Sequence, residues 1–372
     1  MKKVSLTGFF SWLNNSEKSI KTTSSIIAII GGLLVGFIVM LAIDPPRAGI
    51  GLWTILTGTF RDGSRSLGQT IHYSVPIILT GISVAFAFRT GLFNIGATGQ
   101  LTIGAFAAVY VGIHWTFLGP FHWFVAVIVA ALAGGFWGSI PGILKATRNV
   151  NEVVASIMLN YIGSFLTILM IKTFIYNQEL ARALPPSTSA HLPRLSQLIT
   201  THRSSLNFGF IIALIVVAIT HIILNKTTFG YQLKSVGFNR DASKYAGINE
   251  KRNIILAMTI SGAIAGIAGA TMYLVPGRLM TIESSLLQEG FTGIAISLLG
   301  LSSPIGVLFA GLFYGALEMG GFYLQVTTRF VPQIIEIIIA VIIYFSALAL
   351  FFQTYVQYIF KKGALRGGAI DE

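Results

Sequence analysis

The chain is written in long apolar blocks with short polar breaks. Uninterrupted apolar runs of about 20 residues match the length of a bilayer-spanning helix. They fall at residues 25–43, 67–88, 100–117, 121–144, 153–176, 208–224, 254–275, 286–301, 304–324 and 332–352. The runs are continuous rather than alternating, so they predict helices and not the strands of a closed barrel. The pattern therefore predicts an all-α polytopic membrane protein of roughly ten transmembrane helices. The run 286–301 is short and opens with Gln288 and Glu289, so a broken or re-entrant segment is an alternative to a full span there.

Two polar stretches are too long to be simple turns. Residues 177–207 are rich in Pro and Ser (ALPPSTSAHLPRLS). They read equally as a lid or docking surface and as an irregular connection. Residues 225–253 hold a charged, helix-competent island, Phe229 to Ile248. Asp241 is placed to cap a short helix running to Ala246, with Gly247 in the position that ends it. A short helix held between two spans is a surface that a soluble partner can push on, and a plain connecting loop is the alternative.

Composition agrees with the membrane reading. Only 10% of residues are charged and 54% are hydrophobic, against about 25% charged in soluble domains. The 40 glycines suit close helix packing in membranes. Gly262, Gly266 and Gly269, and then Gly311 and Gly315, are expected to serve it. There is no cysteine, which excludes disulfides and cysteine metal sites.

The net charge of +12 fits loops that follow the positive-inside rule, not nucleic-acid binding, for which basic repeats with exposed aromatics are missing. With the N-terminus in the cytosol, Lys2, Lys3, Lys18 and Lys21 fall inside, as do Lys226, Lys234, Arg240, Lys244, Lys251 and Arg252. Arg47, Arg61, Arg65, Arg182, Arg194, Arg203, Arg278 and Arg329 fall outside, about half as many as the inside total. An even number of spans returns the C-terminus to the cytosol. The expected division is a cytosolic segment 1–24, with an interfacial helix at 6–13, then a transmembrane domain 25–354 and a cytosolic tail 355–372. The first apolar run is too long for a signal-peptide core and is followed by Asp44-Pro45-Pro46-Arg47, so it is expected to be retained as a span.

No engine is encoded. The phosphate-cradling G-x-x-x-x-G-K-[ST] pattern, H-E-x-x-H and G-x-S-x-G are all missing. His72, His122 and His221 are scattered near span ends and read as interfacial. Among polar groups at membrane depth, Glu318 is the candidate for an ion-coupled transporter, and a structural hydrogen bond is the competing use. Asn94, Gln100, Asn160 and Gln288 are uncharged amides at span edges, suited to a neutral, hydrogen-bonding solute. Phe93 and Phe291 could stack on a flat one. Two glycine-rich stretches, GLFNIGATGQ at 91–100 and QEGFTGIAISLLG at 288–300, are a faint internal echo of the paired halves found in transporters.

Four of these segments carry a resemblance. GLFNIGATGQLTIGAF (91–106) resembles the GLFNIGAEGQ signature of permease subunits of ABC importers in the branched-chain amino acid, ribose and nucleoside group, with Thr98 where Glu is common. NEVVASIMLNYI (151–162) and FTGIAISLLG (291–300) resemble segments of its nucleoside-importing branch. SVGFNRDASKYAGI (235–248) resembles the family's coupling loop, matching at Gly237, Ala242, Ala246 and Gly247. Arg240 and Asp241 stand where the family often has a proline-containing pair. The resemblance implies a bacterial plasma-membrane importer of nucleosides working by alternating access. Its partners would be a separate ABC ATPase subunit that holds ATP and Mg, a second related permease and an extracellular substrate-binding lipoprotein. This chain would itself be neither an enzyme nor a cofactor protein. Asn94, Gln100, Asn160, Gln288, Phe93 and Phe291 become candidates for the substrate pathway. Gly237, Asp241, Ala242, Ala246 and Gly247 become candidates for ATPase coupling. The same machinery for a sugar or a branched-chain amino acid, and an ion-coupled secondary transporter, remain open alternatives.

Overall fold

The computed structural model describes residues 17–179, 181–195, 204–282, 285–331 and 333–347. The expected interfacial helix at 6–13 and the C-terminal tail lie outside these residues. The described chain is helical nearly throughout: α1 Glu17–Ile43, α2 Pro45–Thr57, α3 Ser64–Phe88, α4 Ala97–His114, α5 His122–Arg148, α6 Glu152–Met170, α7 Gly209–Lys226, α8 Thr228–Phe238, α9 Arg240–Tyr245, α10 Glu250–Tyr273, α11 Gln288–Leu299, α12 Pro304–Thr327 and α13 Gln333–Ala347. Seven stretches among the described residues are long and apolar enough to cross a membrane: 25–43, α3, the 116–148 stretch containing α5, α6 with its extension to Ile175, α7, α10 and α12. Together with α4, α11 and α13, they make this a polytopic all-α membrane protein.

The described residues divide into two compact units, one within 1–58 and 317–372, the other within 59–316. In the first, α1 packs along α13, with Gly32 against Ile342 and Gly36 against Ile338. Its α2 is a helix that the hydrophobic pattern did not predict. Asp44-Pro45-Pro46 ends one helix and starts the next, because proline is pre-set for the first helical turn, where its missing N–H is no loss. Glu318 is half-buried here and Glu336 is exposed.

The second unit is built around α3 and α10, the two most enclosed spans. Here α10 lies against α4 and α5 with almost no side chain between the backbones. A Cβ on Gly262 would meet Gly134 and Gly138, one on Gly266 would meet Ala130, and one on Gly269 would meet Leu101 and Ala105. Gly311 and Gly315 play the same part where the first half of α12 meets Ile78, Thr70 and Ser74. The expected packing use of these glycines holds. In contrast, α6 turns Met158, Phe165 and Leu169 outward, as a lipid-facing helix does.

The described part of the 177–207 loop up to Leu192 is strapped to the bundle. Tyr176–Asn177 (β1) pairs antiparallel with Arg182–Ala183 (β2), and Arg182 also bridges to Thr281. The Ser187 N–H donates to Gly112 O at 2.8 Å and the Leu192 N–H to Leu274 O at 2.9 Å. His122, expected at an interface, is instead fully buried. Its ring nitrogens lie 2.8 Å from Ser189 Oγ and 2.9 Å from Val111 O. Buried polar atoms need such partners, so this histidine ties the loop to two span ends.

Candidate translocation and coupling sites

The GLFNIGATGQ segment leaves α3 as an irregular turn and enters α4 at Ala97. Its two expected pathway amides, and a third from α6, turn inward. Asn94, Gln100 and Asn160 are 0%, 1% and 1% exposed. Asn94 Nδ2 donates to Gln100 Oε1 at 2.8 Å and to Ser261 Oγ at 2.7 Å, and Gln100 Nε2 returns a bond to Asn94 Oδ1 at 3.1 Å. Asn160 accepts from the Gly99 N–H at 2.8 Å and donates to Ile95 O at 3.0 Å. Ser261 and Ser83 then lock α10 to α3. The Ser83 hydroxyl donates to Ser261 O at 2.7 Å, and the Ser261 hydroxyl to Ser83 O at 2.6 Å. These amides hold an irregular segment whose backbone could not otherwise be satisfied away from water. Phe93 is half-buried, with its ring 5.0 Å from that of Phe88. The serines gave no sequence signal, being ordinary small residues in apolar runs.

Asn94→Ala is therefore expected to destabilise the folded chain by about 1–3 kcal/mol, the cost of stranding the buried Gln100 amide. Thermal unfolding of the detergent-solubilised protein measures it. An unchanged melting temperature would remove the network's structural role.

The segment expected to be a short or broken span is a half-span. Its helix α11 has 12 residues, about 18 Å at 1.5 Å per residue, against a hydrocarbon core of about 30 Å. It starts at depth. The Thr80 hydroxyl, about 12 Å along α3 from its end at Phe88, donates to Glu289 O at 3.0 Å. Gly290 sits on Thr98 and Gly293 on Thr80. At its far end, the Arg89 Nε–H at the end of α3 donates to Ser302 O at 2.9 Å. The two glycine-rich segments therefore meet, each opening a helix at depth. Gln288 is exposed and Phe291 is 40% exposed at the start of α11. The charges beside them are paired, Arg278 Nη2 lying 2.9 Å from Glu289 Oε1. Exposed irregular backbone at membrane depth is tolerated only along a water-filled cavity or inside protein.

The 225–253 stretch forms two helices instead of one. Thr227 caps α8, its hydroxyl accepting from the Gly230 N–H at 3.1 Å. Asn239, not Asp241, caps α9. Its Oδ1 accepts from the Ala242 N–H at 2.9 Å, while Asp241 is an exposed residue of the first turn. Asparagine ranks with aspartate as an N-cap, so the signal was present two residues earlier. Gly247 has φ +78°, the left-handed conformation expected after a helix end.

Gly237 is exposed, yet a Cβ there would meet the backbone of Arg89, Thr90 and Gly91. It therefore also seats α8 on the turn after α3. Ala242, Ala246 and Gly247 are exposed, and Phe238 and Tyr245 stand 92% and 94% exposed beside them. Lys234 donates to Asn225 Oδ1 at 3.0 Å. Burial first, and then the Arg89 guanidinium, lower its pKa from the ordinary lysine value. Burial lowers that of Arg89 as well. At the opposite end, in the 177–207 loop, burial and then Arg194 push His191 down.

Among the described residues, no cluster of three or more His, Cys, Asp or Glu is arranged to hold a metal ion. Residues 66–348 match the family model described as branched-chain amino acid transport system / permease component. The chain is 40% identical to the guanosine ABC transporter permease protein NupP of Bacillus subtilis (strain 168), over 91% of this chain and 97% of that one. It is 36% identical to the nucleoside ABC transporter permease protein NupB of Lactococcus lactis subsp. cremoris (strain MG1363), over 89% and 92%. It is 30% identical to the glucose ABC transporter permease protein TsgB13 of Haloferax volcanii, over 89% and 88%. No solved structure matches. With its apolar spans, half-span and two-helix loop, the chain belongs to the branched-chain amino acid transport system / permease component family of multi-pass plasma-membrane proteins.

Proposed function

We propose that this chain is the membrane permease subunit of an ABC importer for nucleosides, working by alternating access. The observation that carries the reading is its likeness to NupP and NupB along about nine-tenths of the chain. The start of α11 supports it chemically. An exposed amide, Gln288, and an exposed ring, Phe291, stand beside an Arg278–Glu289 pair that cancels its own charge. Such a surface offers hydrogen bonds and stacking without an ion's field, which suits a neutral sugar and base. In this reading Gln288 and Phe291 touch the solute, while Asn94, Gln100 and Asn160 act indirectly by shaping the wall.

The end that bears 225–253 is the cytosolic one by the charge distribution. A separate ATPase holding ATP and Mg docks there, on the exposed face of Asp241, Ala242, Ala246, Gly247, Phe238 and Tyr245. A second permease and an extracellular binding lipoprotein complete the assembly, and membrane lipid covers the apolar flanks.

Gln288→Ala and Phe291→Ala are expected to raise the KM for uptake about tenfold each, the effect of about 1.4 kcal/mol per lost contact, with the melting temperature unchanged. Wild-type KM in both would remove α11 from the pathway. The substrate is tested by competition. Labelled guanosine uptake should fall with excess unlabelled nucleosides and persist with ribose, glucose or leucine. Displacement by glucose alone would favour the sugar reading, which the 30% likeness to TsgB13 motivates.

A further inference from the structure

Arg240 stands at the first position of α9, where the resemblance leads one to expect a proline-containing pair. Its guanidinium reaches two spans at once. Nη1 donates to Asn149 Oδ1 at 3.4 Å, Nη2 to Glu250 Oε1 at 3.4 Å, and Nε lies 3.4 Å from Glu250 Oε2. The pair is sheltered, with side chains 33% and 13% exposed. Glu250 is the first residue of α10, the helix packed against α3, α4 and α5. Asn149 ends α5 in the left-handed conformation, φ 52°, its N–H bonded to Lys145 O at 3.1 Å. Next to it, Lys145 Nζ lies 2.9 Å from Glu152 Oε2, which ties α5 to α6. Among the described residues, no other side chain of α9 hydrogen-bonds or ion-pairs with a transmembrane helix or its caps.

We propose that Arg240 is the positioning residue that makes α9 mechanically continuous with the bundle, a clamp joining it to the end of α5 and the start of α10. The inference rests on the reading of α8–α9 as the ATPase-coupling loop. A short helix held only by its flanking backbone would swivel when pushed. A planar, forked guanidinium gripping a carboxylate and an amide removes that slack, which a single ammonium cannot do. Asn149 suits both tasks, since asparagine tolerates the left-handed turn and carries an acceptor.

The test uses the whole importer complex in proteoliposomes, reading ATPase co-purification and solute imported per ATP hydrolysed. Arg240→Ala is expected to keep its ATPase but to import about tenfold less per ATP. Arg240→Lys should be intermediate. Asn149→Gly, which keeps the turn and loses only the α5 link, should fall between wild type and Arg240→Ala. The charge swap Arg240→Glu with Glu250→Arg should import more per ATP than either single variant. Wild-type import per ATP in Arg240→Ala overturns the clamp, and so does a swap no better than its parents. Loss of the ATPase from Arg240→Ala would make the residue a docking contact, which also overturns it. A failure of the coupling reading itself looks different: Phe238→Asp with Tyr245→Asp would then retain the ATPase.

Discussion

Gly266→Leu is expected to leave no properly folded chain in the membrane. At this point α10 meets α5 and α4 backbone to backbone. A Cβ on Gly266 would strike Ala130 O, and one on Gly104 would strike Gly266 itself. In lipid, helices gain little from burying apolar surface, so close packing of small residues carries their association. Overpacking a core usually costs about 1–3 kcal/mol because side chains can shift. Here the struck atoms are backbone, so the helices must separate, which takes with them the Ser83–Ser261 lock and the Asn94 network. A cost above about 3 kcal/mol is a large part of a total stability of about 5–15 kcal/mol. Membrane-fraction yield and detergent size-exclusion profile measure it. A monodisperse Gly266→Leu protein at wild-type yield would contradict the packing described for α10.

Phe238→Asp combined with Tyr245→Asp is expected to abolish ATPase binding while insertion and stability stay intact. Both rings stand more than nine-tenths exposed, so removing them disturbs no internal packing. Both rings stand on the same two-helix loop, and aromatic anchors at interfaces are worth about 2 kcal/mol or more each. Two such losses weaken binding on the order of a hundredfold or more. The readout is co-purification of the ATPase with the tagged chain. Full retention of the ATPase by the double variant would contradict docking on α8–α9. Gly237→Arg is a less clean probe, because Gly237 also seats α8 on the Arg89–Gly91 turn.

Most of the fold was legible because a membrane span leaves a coarse signal, an apolar run of fixed length. The first apolar run ends with α1 at Ile43, although the helix itself begins at Glu17 within a polar stretch that carries no apolar signal, and the glycines of 262–269 could be assigned to packing from their spacing alone. What failed were features set by local caps or by distant partners. Helix α2 was missed because 45–57 is too short to read as a span, although its paired prolines mark a helix start. The cap of α9 was read at Asp241, while Asn239 two residues earlier has equal capacity.

The candidate site was legible in composition but not in orientation. Sequence marked Asn94, Gln100, Asn160 and Gln288 alike as polar groups at depth. Only tertiary contacts turn the first three inward onto Ser261, Gly99 and Ile95 and leave Gln288 facing outward. Arg240 was noted as a departure from a family pattern, and its partners, Asn149 and Glu250, lie 91 and 10 residues away. No spacing rule predicts the longer of those contacts.

The central claim is ATP-driven import through this chain, and vesicle uptake of labelled guanosine tests it most directly. The chain reconstituted with its ATPase, second permease and binding protein should accumulate solute only with hydrolysable ATP on the side of the 225–253 loop. The chain alone should accumulate none under a sodium or proton gradient. Gradient-driven uptake by the chain alone, with no ATPase present, would contradict the account.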